Sequence, residues 1–280
     1  MTTASLQRIL VPTDLSDFAT ASLGWARLFQ RRLGGRLTLL YANQPWVPFD
    51  IIEGPAAYAL QTSPEFRQRV VRDLREYVTT HLPDAGDTVE TRIVDDAPAR
   101  AILETADAID ADLIVMGTHG RTGWRRVLLG SVAEKVVHHT DRRVLCIPPG
   151  AAPSIGKIVC PVNFTAIART ALEEAATLAA TFDAELLVVH VTDAAEDGRD
   201  VEGEFAAWIE PHVRTRCRYT HVVAHGNAAE ETISAAHEAQ ADLIVLGSRH
   251  HRFADASVIG ATTERVIRFA KRPVMAVVGG

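Results

Sequence analysis

Three glycines and a serine carry the most specific chemical signal in the chain. Gly117 and Gly120 stand three apart, nine residues follow, and then come Gly130 and Ser131. The first glycine closes the apolar run Ala111-Asp112-Leu113-Ile114-Val115-Met116. Glycines at such spacing let a backbone approach another group closely. The amides of such a loop can form a concave nest for an anion. A helix beginning at Gly130-Ser131 would add free N–H groups and the positive end of its dipole, with a serine hydroxyl as a further donor. Together these point to phosphate binding. The bland alternative is that the glycines only punctuate a turn.

The loop is neither of the two common nucleotide motifs. The first apolar run, Arg8 to Val11, leads into Pro12-Thr13-Asp14-Leu15-Ser16 and contains no G-x-G-x-x-G. No G-x-x-x-x-G-K-[ST] occurs anywhere. Asp14 has two readings, a ligand contact or a cap for the following helix. His119 inside the loop can titrate near neutral pH or serve only as structure. Arg121, Arg125 and Arg126 can neutralise phosphate or form a solvated face. Trp124 reads as a packing anchor.

Other chemistries have weaker support. No paired carboxylates or loop lysine suggest a dedicated catalytic set, which leaves slow hydrolysis or group transfer at a bound phosphate as a rival to simple binding, with His119 and Arg121 as its only nearby candidates. His250, His251 and Asp255 invite a zinc site, but adjacent residues rarely ligate one ion. His221 and His225 fall in a strand-like stretch, where four residues span about 13 Å, too far for one ion. No metal site is expected. Cys146, Cys160 and Cys217 are widely spaced, and the first two lie in apolar runs, as small buried thiols in a reducing compartment would.

The elements that must position the loop occur twice. Ala111-Asp112-Leu113-Ile114-Val115-Met116-Gly117 returns as Ala241-Asp242-Leu243-Ile244-Val245-Leu246-Gly247, an offset of 130 (241 less 111). Arg8-Ile9-Leu10-Val11-Pro12 returns as Lys157-Ile158-Val159-Cys160-Pro161, an offset of 149 (157 less 8). The second copy has therefore lost 19 residues (149 less 130), and the stretch Asn43 to Ser63 is the candidate. That stretch holds Trp46, Phe49, Ile51, Ile52 and Tyr58, which could cover a pocket or the neighbouring domain. The linker Pro148-Pro149-Gly150-Ala151-Ala152-Pro153-Ser154 places the boundary between domains 1–150 and 151–280.

Within the first copy, apolar strands at Arg8–Val11, Leu37–Ala42, Leu113–Met116 and Val144–Ile147, and one of alternating pattern at Val89–Val94, are interspersed with helices. Ser16 or Asp17 caps the first helix, Gly34-Gly35 ends it, and Pro64 opens the next, which runs to about His81. The remaining helices are Ala97–Ile109, with Pro98 in its first turn, and Ser131–Thr140. Wholly apolar strands alternating with helices predict an α/β fold with a parallel sheet covered on both faces. A formal charge of -6, from 29 basic and 35 acidic residues, disfavours nucleic acid as a partner. No apolar run approaches the roughly 18 residues of a membrane span. The polar stretch Met1 to Gln7 does not read as a signal peptide, which leaves a cytoplasmic location as the expectation.

G-x-x-G-x(9)-G-S after an Ala-Asp-Leu-Ile-Val-Met strand resembles the ATP-binding motif of the universal stress protein family. Ile9-Leu10-Val11-Pro12-Thr13-Asp14-Leu15-Ser16 resembles that family's opening strand and acidic residue. The resemblance runs over nearly the whole chain, twice. It implies two tandem five-stranded parallel-sheet domains of strand order 3-2-1-4-5, the adenine-nucleotide alpha-hydrolase-like arrangement, with ATP between strands 1 and 4 and Mg²⁺ as its possible companion. It also implies contacts from Pro12, Thr13, Asp14, Ala42, Met116, Gly117, His119, Gly120, Arg121, Gly130, Ser131 and Val132. The domains are expected to pair through antiparallel fifth strands as an internal pseudo-dimer, and two chains could pair further as a homodimer. A stress-linked regulatory role with an unidentified protein partner follows from the same resemblance.

The second copy departs from the motif. His250 replaces the second glycine, Ala261 the serine and Asn163 the aspartate, while Asp255 adds negative charge. Domain two is therefore expected to bind no ATP, although Thr262 could partly replace the missing hydroxyl. A small-molecule or zinc-binding role for this domain is the remaining alternative.

Overall fold

The structure, a computed structural model, describes residues 6–44, 63–84, 86–118, 129–192, 201–248, 250–253 and 256–278. The first half runs β1 (Arg8–Thr13), α1 (Asp17–Leu33), β2 (Arg36–Ala42), α2 (Pro64–His81), β3 (Val89–Val94), α3 (Pro98–Ala108), β4 (Leu113–Gly117), α4 (Ser131–His139) and β5 (Arg143–Ile147). The second half repeats it as β6 (Lys157–Val162), α5 (Ala166–Phe182), β7 (Glu185–Thr192), α6 (Val201–Val213), β8 (Tyr219–His225), α7 (Ala228–Glu238) and β9 (Leu243–Ser248). A two-stranded ribbon, β10 (His250–Phe253) with β11 (Ala256–Ile259), then precedes α8 (Ala261–Phe269) and β12 (Val274–Val278). The helix starts follow their chemistry. Ser16 caps α1 by accepting from the Ala19 amide, and prolines open α2 and α3, where their missing N–H groups cost nothing.

All the long strands form one sheet of order β3-β2-β1-β4-β5-β12-β9-β6-β7-β8. Each half has the order 3-2-1-4-5 expected from the resemblance. The halves meet where β5 and β12 pair antiparallel, with Met275 opposite Leu145 at the centre. The internal pseudo-dimer is therefore a single continuous sheet. Two apolar layers cover its faces, and each draws residues from both halves.

The repeated Ala-Asp-Leu-Ile-Val run has a structural cause. The Asp112 carboxylate accepts from the Gln7 and Arg8 amides at 3.1 and 2.9 Å, tying β4 to the start of β1. Asp242 accepts from Gly156 and Lys157 at 2.7 and 3.0 Å in the same way. Across the domain boundary, Arg143 of β5 reaches Glu174 of α5 at 3.0 Å. Phe29 packs edge-on against Phe182 with ring centroids 5.5 Å apart, and the Trp25 indole donates to the Ala151 carbonyl. Burial raises the Glu174 carboxyl above its ordinary range, against the pull of Arg143. Cys146 and Cys160 are buried as expected, and burial pushes the Cys146 thiol up to about 12, which leaves it unreactive.

Candidate functional site

A cavity of about 560 Å³ opens at the C-terminal ends of β1 and β4, where the strand order reverses. Pro12, Thr13 and Asp14 at the end of β1 form one wall, and Leu40 and Ala42 of β2 extend it. Met116 and Gly117 from β4 form the floor, while Gly130, Ser131 and Val132 supply the opposite wall at the start of α4. Nine of the twelve residues singled out in the sequence thus share one cavity. The other three, His119, Gly120 and Arg121, lie outside the described residues, as do Trp124, Arg125, Arg126 and the aromatic residues between 45 and 62.

The wall carrying Asp14 is a tight turn. The Leu15 amide donates to the Thr13 hydroxyl at 3.0 Å, and the Ser16 amide and hydroxyl both donate to Asp14 Oδ1, at 3.0 and 2.5 Å. Leu15 between them adopts φ 62, a left-handed conformation that costs a branched residue about 1–2 kcal/mol. The turn holds the Asp14 carboxylate at the cavity. The capping reading of Asp14 is modified here. Its carboxylate braces Ser16, and Ser16 rather than Asp14 caps the helix.

The opposite wall presents backbone. Gly130 is the N-cap of α4 at φ -62, ψ 141, with no side chain capping the first turn. The first helical bond is Glu134 N–H to Gly130 C=O at 2.9 Å, so the amides of the turn before it have no partner within the helix. The Gly130 amide itself donates to Thr118 C=O at 2.8 Å, and the Thr118 amide donates to Ile147 C=O. Both ends of the glycine-containing loop are thereby pinned to the sheet. A helix end without a cap, facing a cavity beside an acidic turn, fits a ligand with an anionic part and hydroxyls.

The sequence did not reveal every lining residue. Pro98 and Ile102 of α3, together with Ala19, Gln44, Thr118 and Ala133, also line the cavity. Thr118, directly after Gly117, and Ala133, directly after Val132, were adjacent to the visible motif. The α3 contribution depends on which helix crosses the end of the sheet.

The second half has a cavity of about 300 Å³ at the matching position, lined by Pro161, Val162 and Asn163, by Val189 and Val191, by Leu246 and Gly247, and by Gly260, Ala261 and Thr262. The turn that matches the acidic one is kept in shape with different chemistry. Phe164 sits at φ 60 and Thr165 donates to Asn163 Oδ1 at 2.7 Å. Gly247 is explained by packing, because a Cβ there would lie 3.0 Å from the Ile167 carbonyl oxygen. The segment expected to be a degenerate loop instead contains the β10–β11 ribbon, paired from His250↔Ile259 to Phe253↔Ala256. Asp255 lies outside the described residues. Among the described residues, no group of three or more His, Cys, Asp or Glu could hold a metal.

Two tandem parallel α/β units, each with a cleft at its topological switch point, define the structural class. The universal stress protein family profile matches residues 5–148 and again 154–278, and the chain belongs to that family in two tandem copies. A universal stress protein of Mycolicibacterium smegmatis is 25% identical over 295 residues, spanning 96% of each chain. One from Methanocaldococcus jannaschii is 30% identical over 143 residues, covering 50% of this chain and 81% of its own length. The fold also matches the crystal structure of a universal stress protein from Archaeoglobus fulgidus, with a TM-score of 0.81 and 24% identity over 99% of this chain and 100% of that one. Among the described residues, no helix is long and apolar enough to cross a membrane.

Proposed function

We propose that the protein is an ATP-binding regulator that holds one nucleotide in domain one, residues 1–150, and none in domain two, residues 151–280. The observation that carries this reading is the cavity of about 560 Å³ between the Asp14 turn and the open amino end of α4. Its volume is that of a small-molecule site. Asp14 suits a hydroxylated sugar, Ala42 and Met116 suit a flat base, and Gly130, Ser131 and the motif residues Gly117, His119, Gly120 and Arg121 suit the phosphates. Mg²⁺ would accompany the phosphates as a shared counter-ion and supply charge neutralisation there. In this reading the occupied cleft changes a surface that a protein partner reads in the cytoplasm, where adenine nucleotides are available.

Titration calorimetry of the full chain with ATP tests the assignment. One site per chain is expected. Two equivalent sites, or none at millimolar ATP, would overturn it.

A further inference from the structure

The cleft of domain two keeps a wall at the ends of β6 and β7 and the open amino end of α8 at Gly260, but has Asn163 for the aspartate, Ala261 for the serine and a ribbon where domain one has its glycine-spaced segment. Three observations define what it can hold. None of its described lining residues is charged, with Asn163 standing where domain one has Asp14. Three of its four polar side chains are already engaged, Thr262 at the start of α8 being the fourth. Thr232 donates to Ala228 C=O at 2.6 Å, Thr263 donates to Gly247 C=O at 3.2 Å, and Asn163 Oδ1 accepts from Thr165. These threonine oxygens retain acceptor capacity, and the Asn163 amide retains its N–H donors. Finally, the ribbon pairing joins backbone groups of residues 250–253 with those of 256–259 in an antiparallel ladder. Backbone paired in this way is not gathered into a concave anion nest.

From these observations we infer that domain two binds a compact, uncharged, nucleoside-sized ligand and discriminates against its phosphorylated form. The inference rests on the nucleotide reading of domain one, since the matching wall is the one assigned there to base and sugar. A volume of about 300 Å³ lies at the small end of ligand sites, enough for a base and sugar without a phosphate chain. The walls at Val189, Val191 and Leu246 are apolar, and Asn163 offers neutral hydrogen bonding at the rim. A triphosphate placed here would lose its hydration with Ala261 in place of the Ser131 hydroxyl and no glycine-spaced loop. The protein would then sense the ratio of a nucleoside to its nucleotide through two unlike clefts on one sheet.

Methyl-labelled NMR of the full chain distinguishes the two sites, using adenosine and ATP as probes. Val189, Val191 and Leu246 report on domain two, and Leu40 and Met116 report on domain one. Adenosine is expected to move the domain-two methyls saturably, with an apparent affinity at least about 10-fold tighter than that of ATP at the same methyls. Unmoved domain-two methyls at millimolar adenosine would overturn the inference. So would ATP moving them with equal affinity. If instead ATP leaves Leu40 and Met116 unmoved, the nucleotide reading of domain one fails separately. Val191→Phe, which fills the cleft, is expected to abolish the adenosine response of Leu246 while the ATP response of Met116 persists. Should that variant fail to fold, Asn163→Leu at the exposed rim is expected to weaken the adenosine response, and an undiminished response would count against the role of the amide.

Discussion

The two clefts share a scaffold and differ in chemistry. In both, a bulky residue is held left-handed between a polar pair, Leu15 between Asp14 and Ser16, and Phe164 between Asn163 and Thr165. Each is faced by a helix whose N-cap is an uncapped glycine, Gly130 or Gly260. The differences lie in Asp14 against Asn163, Ser131 against Ala261, and a glycine-spaced segment against a ribbon. A duplicated fold can therefore retain the strained geometry of a site while its ligand chemistry changes, because neighbouring packing maintains the geometry and a few side chains set the chemistry.

The largest expected effect comes from Gly130→Asp. The position has ordinary dihedrals, and aspartate is a better N-cap than glycine by a few tenths of a kcal/mol, so the melting temperature should hold or rise slightly. A carboxylate facing the triphosphate should lower ATP affinity by about 100-fold or more through like-charge repulsion. Gly260→Asp in domain two should leave ATP binding unchanged. Equal losses from the two variants, measured by calorimetry, would dissolve the distinction between the clefts.

Gly247→Ala should follow in size. The added carbon meets the Ile167 backbone at 3.0 Å, so denaturant unfolding should show a loss of about 2 kcal/mol with ATP stoichiometry unchanged. Exchanging the acidic position is a finer probe. Asp14→Asn should weaken ATP by about 10-fold, the difference between a charged and a neutral hydrogen bond, and keep the Ser16 contacts. A full-strength ATP complex in this variant would remove Asp14 from the site.

The smallest effect concerns the seam. Burial holds the Glu174 carboxyl above its ordinary value of 4.5, so the folded chain binds that proton more tightly than the unfolded chain. The stability it contributes is therefore present below pH 4.5 and lost as the pH climbs through the raised value. Unfolding free energies measured across this range should decline more for the wild type than for Glu174→Gln. Parallel pH profiles would show that Arg143 fully compensates the burial.

Much of this architecture was legible in the sequence because local chemistry dictates it. Pro64 and Pro98 mark helix starts, and the inner strands β1, β4, β6 and β9 are largely apolar runs whose repetition exposes the duplication. The nine described site residues of domain one converge because the β1 turn and the Gly130-Ser131 helix start both report local backbone requirements. What stayed hidden depends on distant contacts. Gly247 looks like a motif remnant until the Ile167 carbonyl is seen beside it. The ribbon after β9 has too short and mixed a pattern to announce pairing. Glu174 gives no sign in a helix of alanines that it will meet Arg143 of the other half.

The antiparallel junction of β5 and β12 has one more consequence. Separate subunits that meet through such an edge come apart on dilution, and a mixed population of two kinds would also form like pairs. Here the partners are sections of one polypeptide, so their encounter is intramolecular at any expression level. Every molecule carries one cleft of each kind, in fixed proportion, and no change in abundance can produce a matched set.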